Sequence, residues 1–422
     1  MDFEAIEVAI RRQALALAAH AVETRLNADT SDHAAPALQC PCGKLARYAG
    51  RRGKKFQTAL GPITLERAYY WCGACHRGFC PRDRSLGLDD TWLSPSVTRM
   101  VGLTAAMVSF EESSELLREL AGVTVDAKQV ERTAEALGAE IAEDETNHVE
   151  PLEEPASTMY VGLDGTGVPV RRSEVEGREG KQPDGSAKTR EVKLCTVWSA
   201  EGRDDEGIPV RDEGSVSYSA AIESAASNDR GDVSEFAWRV ERETTRRGFD
   251  RAARQVALGD GAPYIWNTVS EVLPDAIQIL DRFHAKEHLS EVSKAIYGAA
   301  NGEAKAWAKA RYVELDEGKI DEILVALQAH APTCEDARQC VGYVSTNRER
   351  MRYPEFRAQG LCTSTGVVEA GCKVAIGTRL KRTGMHWTVA GANAIIALRC
   401  AKLSGRLEDF WERRSSARMA AA

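Results

Sequence analysis

Two short segments, Tyr160-Val-Gly-Leu-Asp-Gly-Thr-Gly167 and Leu258-Gly-Asp-Gly261, decide how this chain is read. In each, an apolar run of strand formers ends on an aspartate flanked by glycine. Glycine at a strand end lets a ligand or a metal approach the backbone closely. The surrounding pattern alternates. Met159–Leu163, Arg190–Ser199 and Gly214–Ala220 read as strands, followed by a helix over Val233–Arg247. Gln255–Leu258 is a strand, Pro263–Val272 a helix, Ala276–Leu280 a strand and His284–Ala300 a helix. Three strands and then alternating helix and strand predict an α/β fold with a mixed sheet flanked by helices. This core spans residues 156–302. A charged helical insertion follows over 303–362, then a C-terminal helix and basic tail over 363–422.

Upstream the pattern is different. Ile6–Leu26 repeats apolar residues every three or four positions and predicts an amphipathic helix. Residues 30–37 read as a linker that completes a segment 1–37. Residues 38–93 carry Cys40-x-Cys42 and Cys72-x-x-Cys75, with a hairpin expected at the Gly61-Pro62 turn. Four thiolates complete a tetrahedral zinc site, although Cys40-x-Cys42 is tighter than the usual pair. Cys80 and His76 stand by as substitute ligands. Residues 94–155 read as helical, opening on Ser94-Pro95. Glu111–Leu120 and Asp126–Ile141, separated by a short Gly turn, fit a helix-turn-helix or a generic helical hairpin.

The chain has 422 residues, and 43% are hydrophobic, enough to bury a sizeable core. No run is apolar enough to span a bilayer, and no signal segment opens the sequence. A cytoplasmic, nucleoid-associated protein is expected. The 11 cysteines are an odd number, which argues against a disulfide framework in such a compartment. Cys195, Cys334, Cys340, Cys362, Cys372 and Cys400 are scattered and read as buried thiols. The net charge of -8 speaks against a nucleic-acid partner, but its distribution does not. Arg51, Arg52, Lys54 and Lys55 crowd one segment, and Arg379, Lys381 and Arg382 another. Phosphate binding follows the local field. Lys128 opens the second helix of the hairpin, where base or phosphate contact is expected. Trp387 is either a stacking platform for an unpaired base or a core residue.

Asp164, Asp260 and Glu369 form the candidate catalytic set. Glu369 lies in Thr365-Gly-Val-Val-Glu-Ala-Gly371, which reads as a helix start with small neighbours. Two strand-end aspartates and a packed glutamate can hold two magnesium (or manganese) ions. Glu349 and Glu355 are rivals for the third position but lack small neighbours.

These segments, with Asp281-Arg-Phe-His284 and Arg379-Leu-Lys-Arg-Thr-Gly-Met-His-Trp387, resemble insertion-sequence transposases of the ISKra type, bacterial relatives of the Mutator-like DDE transposases. Cys40-Pro-Cys-Gly43, Arg67-Ala-Tyr-Tyr-Trp-Cys-Gly-Ala-Cys75, Pro81-Arg-Asp83 and Leu86-Gly-Leu88 resemble that family too, so the likeness covers about residues 38–411. It implies an RNase H-like (retroviral-integrase-like) catalytic core behind a zinc-ribbon-like module and a helix-turn-helix region. It places the catalytic acids at Asp164, Asp260 and Glu369, and His284 near the scissile phosphate, with Asp281 structural. The implied partners are transposon-end DNA, target DNA and further copies of the chain, with no membrane. The implied activity is cleavage at transposon ends and strand transfer. The competing readings are an RNase H-like nuclease without strand transfer and a non-catalytic, domesticated DNA-binding protein.

Overall fold

The computed structural model describes residues 2–151, 154–205, 207–226, 233–364 and 366–420. Thr365, the first residue of the segment carrying Glu369, lies outside them. The chain divides into two compact units, residues 1–141 with 406–422 and residues 142–405. No helix among the described residues is long and apolar enough to cross a membrane.

The first unit opens with α1 (Phe3–Ala28), capped by the Asp2 side chain. An antiparallel sheet follows in the order β1 (Ala37–Gln39), β2 (Leu45–Thr58), β3 (Gly61–Cys72), β4 (Arg77–Phe79). The chain reverses at Ala59-Leu60, because Gly61 and Pro62 already pair with Thr58 and Gln57 as the first residues of β3. The hairpin is as expected, with its turn two residues earlier. The C-terminal half of α1 is tied to β3, where Asn27 Nδ2 donates to the Thr64 carbonyl at 2.9 Å. Beyond α2 (Pro81–Ser85), Ser94 caps α3 (Pro95–Met107), with Pro95 in its first turn. Ser109 and Glu112 close a capping box on α4 (Phe110–Leu116), which continues as a π turn to Ala121. Gly122 ends it at φ 68°, a conformation that favours glycine. Asp126 Oδ1 then accepts from Gln129 N at 2.9 Å at the start of α5 (Ala127–Asn147).

The second unit is built on a mixed five-stranded sheet. Its strands are β5 (Thr158–Pro169), β6 (Thr189–Ser199), β9 (Ser217–Ala221), β10 (Arg254–Gly259) and β11 (Ile277–Leu280). A small hairpin, β7 (Gly202–Arg203) and β8 (Pro209–Val210), lies between β6 and β9 in sequence. The sheet order is β11-β10-β5-β6-β9. The β5–β6 and β6–β9 pairs are antiparallel, and β5–β10 and β10–β11 are parallel. The first six residues of β5 are buried, as expected for a central strand covered on both faces. Tyr160 stacks on Trp198 at 5.4 Å, and Phe236, Phe249 and Ile265 fill the same core. Helices α6 (Glu235–Arg246), α7 (Pro263–Val272) and α8 (Arg282–Tyr297) are followed by the helical run α9 (Gly302–Asp316), α10 (Ile320–Gln328), α11 (Glu335–Asn347) and α12 (Tyr353–Ala358). That run is sewn to the core: Tyr353 Oη donates to the Leu280 carbonyl at 3.0 Å, and Arg282 pairs with Asp316 at 2.6 Å. α13 (Gly366–Gly371), a π turn to Gly377 and α14 (Thr378–Leu380) precede α15 (Val389–Leu403). The last helix, α16 (Leu407–Ala420), belongs to the first unit.

Candidate active site

The strand register brings the aspartates together. Gly162 is paired with Leu258, and Gly259 with Leu280. Continuing each ladder sets Asp164 level with Asp260, and Asp260 level with Asp281, across three adjacent parallel strands. Asp260 and Asp281 directly follow their strands. Asp164 does not end its strand, because β5 runs on to Pro169 beside β6 after leaving β10.

Each carboxylate is fixed locally. Asp164 Oδ1 accepts from Gly165 N at 2.6 Å. Burial pushes the Asp164 carboxyl above the usual carboxylate range and the negative charge of Asp260 adds to this, against the Cys372 thiol, the Gly165 N–H and His284. Asp260 Oδ1 accepts from Ala262 N at 2.9 Å, and its carbonyl accepts from Tyr343 Oη at 3.0 Å. Between them, Gly261 has φ +95°, and a Cβ there would lie 2.7 Å from Tyr343 Cε2. Glycine is therefore required twice, by conformation and by the tyrosine ring on the α11 helix. Asp281 is fully buried and caps α8 by accepting from His284 N at 2.6 Å.

The cap aims His284 back over the strand ends. Its Nε2 stands 3.8 Å from Asp260 Oδ2 and its Nδ1 3.6 Å from Glu287 Oε2. Ligand atoms of Asp281, His284 and Glu369 all lie within 4.8 Å of one another. Glu369 reaches this point because α13 lies close on the sheet. A Cβ on Gly162 would overlap Val368 Cγ2, and one on Gly371 would lie 3.0 Å from Tyr218 Cε1. Beside the cluster, an open cleft is lined by Asp260, His284, Glu287, His288, Glu291 and Tyr343. The His288 ring lies tilted against Tyr343, centroids 4.2 Å apart, and burial lowers its pKa, with the charge of His284 adding.

Three groups at this site were read from sequence as structural or not singled out. Asp281 was read as a structural residue, yet its apolar-strand-then-aspartate pattern is the one that marks Asp164 and Asp260. The Cys372 thiol, read as plain core, lies beside the Asp164 carboxylate and is raised by burial. Tyr343 carries no local signal, since its role depends on how α11 packs.

In the first unit Cys40, Cys42, Cys72 and Cys75 form one cluster, with Cys40 Sγ 3.6 Å from Cys75 Sγ and Cys42 Sγ 3.7 Å from Cys72 Sγ. Zinc–sulfur bonds of about 2.3 Å at tetrahedral angles give sulfur–sulfur separations of about 3.8 Å, so the spacing fits that ion. The backbone N–H of Cys75, then that of Ala74, brings the Cys72 thiol down to about 7 against its burial. Cys80 lies outside the cluster, and His76 takes φ 54° in the turn between the two strands.

The basic residues divide into two groups. Arg51 pairs with Asp32 at 2.9 Å, Lys54 donates to the Thr91 carbonyl at 2.7 Å, and Arg52 lies 3.5 Å over the Tyr69 ring. Lys128 pairs with Glu131 at 2.7 Å. Lys55 is exposed, as are Arg382 and Lys381, whose Nζ donates to Thr166 Oγ1 two residues beyond Asp164. The expected DNA contact of Arg379 is corrected, and Trp387 takes the core reading of its two. Arg379 is fully buried with its guanidinium 5.2 Å from the Trp387 ring. Trp387 is itself buried, donating from Nε1 to the Leu380 carbonyl at 3.0 Å. A basic group packed inside the fold, and an indole under it, present nothing to a phosphate or a base.

The profile of an uncharacterised protein family, UPF0236, matches residues 46–414. No curated protein matches the chain. Among solved structures, the Drosophila P element transposase strand transfer complex is similar at 10% identity and a TM-score of 0.27, over 80% of this chain and 86% of that one. Values that low establish neither a shared fold nor a shared activity.

Proposed function

The chain belongs to the UPF0236 family, and we propose from its carboxylate centre that it is a DDE-type DNA transposase, cleaving and joining phosphodiesters with divalent metal ions. Two observations support this reading: Asp281, His284 and Glu369 hold ligand atoms within 4.8 Å of one another, and Asp164 and Asp260 follow the paired stretches of the two neighbouring parallel strands, outside that cluster. An antiparallel β5-β6-β9 run, with β10 and β11 added in parallel on the other side of β5, accords with an RNase H-like core.

The donor set suits magnesium or manganese. It is made of carboxylate oxygens, and burial, with the charge of Asp260 adding, raises the Asp164 carboxyl. Asp164, Asp260 and Glu369 would hold the ions, with Asp281 beside Glu369. Two divalent ions supply activation of an attacking oxygen and stabilisation of a leaving one. The chain's own residues position the rest. His284 sits where it can take a proton from an attacking water, its Nε2 3.8 Å from Asp260 Oδ2. In the first step water attacks phosphorus and the P–O3′ bond breaks, freeing a 3′ hydroxyl at the transposon end. In the second that hydroxyl attacks a target phosphodiester, forming one P–O bond as another breaks. Bond count is conserved and no protein–DNA covalent link is needed. Lys381, Arg382 and Lys55 are exposed cations suited to phosphates, and the four-cysteine cluster would hold a structural zinc.

The test is cleavage of a labelled duplex taken from the ends of the DNA element that carries the gene, with magnesium or manganese. Wild type is expected to nick it, whereas Asp164→Asn, Asp260→Asn and Glu369→Gln bind without nicking. Nicking by all three variants at the wild-type rate would sink the assignment.

A further inference from the structure

Helix α1 is apolar on two faces, and only one is used. Leu15, Ala19 and Leu26 lie on the side toward β3, with Ala19 buried and Leu26 packed into the small core of Phe56, Ile63 and Leu65. At about 100° per residue, Phe3, Ile6, Ile10 and Leu17 fall within about 60° of one another on the other side. They are 80%, 47%, 59% and 71% exposed. Their i, i+3, i+7, i+14 spacing is that of a coiled-coil seam in which Gln13 takes the i+10 place, and Ala14 and Ala21 fill the line between and beyond the large side chains. The Arg11 guanidinium donates to the Leu120 carbonyl at 2.5 Å, which pins the third turn of the helix and leaves the stripe facing outward. Leu120 is itself 70% exposed. Four large apolar side chains in one uncovered line are more than scattered surface hydrophobics.

We propose that this stripe is a self-association surface, on which the α1 helix of a second copy of the chain packs antiparallel. The stripe is complementary to itself in that orientation. A two-fold axis at the level of Ala9 interleaves the large side chains. Along the seam, Phe3 and Ile6 are followed by the partner's Ile10, then Ile10, then the partner's Ile6 and the partner's Phe3. Leu17 closes each end. Charge selects the same orientation. The first two turns carry Asp2, Glu4 and Glu7, and the third carries Arg11 and Arg12. Antiparallel packing brings Glu7 level with the partner's Arg11 and opposes the two helix dipoles. Parallel packing would set Glu7 beside the partner's acidic turn. A two-fold contact of this kind uses the same patch on both copies, so it closes at a dimer.

The full chain is tested by sedimentation velocity from one to tens of micromolar. Wild type is expected to shift from monomer to dimer over that range. Ile6→Glu with Ile10→Glu is expected to remain monomeric with an unchanged circular dichroism spectrum and melting point, since both side chains are outside the folded core. Glu7→Arg is expected to weaken the dimer several-fold, and adding Arg11→Glu to restore it. A wild type that stays monomeric overturns the proposal, as does a double-glutamate variant that still dimerises. A charge swap that fails to restore association overturns the antiparallel packing.

Discussion

Substituting Gly162 by alanine tests whether packing of α13 on β5 delivers Glu369 to the carboxylate centre. A Cβ at 162 would overlap Val368 Cγ2 and lie 3.0 Å from Trp198 Cζ3. Val368 is one residue from Glu369, and both the strand and the indole are fully packed. The helix has to move outward. Overpacking a core in this way costs about 1–3 kcal/mol, which at about 2–4 °C per kcal/mol lowers the melting temperature by about 5 °C. The loss of activity is expected to exceed the loss of stability, because a displacement of about 1 Å at a reacting centre costs about 100-fold in rate. Thermal melting and the nicking assay are run on Gly162→Ala, Val368→Ala and the pair. Removing the valine methyls makes room for the new Cβ, so the double variant is expected to be more stable than the sum of the singles by at least about 1 kcal/mol and to recover activity. Additive stabilities, or an active Gly162→Ala protein, would refute the reasoning.

Four further outcomes follow from the geometry. The Asp164 carboxyl is raised in the folded state, so its contribution favours folding at low pH and is lost as pH rises from its unfolded value through the raised one. In chelator at neutral pH, Asp164→Asn is therefore expected to melt above wild type, and added manganese to raise wild type more than the variant; equal responses to the ion would count against Asp164 as a ligand. Tyr343→Phe removes the hydrogen bond to the Asp260 carbonyl but keeps the ring against Gly261, and is expected to cost about 1 kcal/mol and roughly tenfold in cleavage, measured by melting and nicking. Gly261→Ala, strained and blocked by that ring, is expected to lose more than Tyr343→Phe. Cys42→Ser and Cys72→Ser are expected to lose about one zinc per chain by elemental analysis and to loosen the N-terminal sheet to proteolysis, whereas Cys80→Ser keeps the ion.

The parts of this architecture set by local patterning were legible in the sequence. Apolar runs gave the strands that lead into Asp164, Asp260 and Asp281, and Ser94-Pro95 and Asp126 marked helix starts whose caps the structure contains. Long-range pairing was not legible. The length of β5 past Asp164 depends on β6, which supplies a partner for every residue to Pro169. Asp281 carries the same local signal as its neighbours, but only the β10–β11 register sets it level with them. Arg379 sits in a basic run whose pattern is that of a solvated face, and it is buried because Trp387 and Met385 cover it. The two faces of α1 were visible as one amphipathic repeat, and the sheet beneath the helix distinguishes the covered face from the open one.

Joining is the step that separates a transposase from a nuclease with the same carboxylates. A pre-cut duplex bearing a free 3′ hydroxyl at the element's end is incubated with the full chain, manganese and supercoiled plasmid, and labelled DNA covalently joined to the plasmid is measured on a denaturing gel. Joined product from wild type, absent with Asp260→Asn, is the predicted result. Wild type that binds the duplex yet yields no joined product under conditions where it is folded would contradict the account.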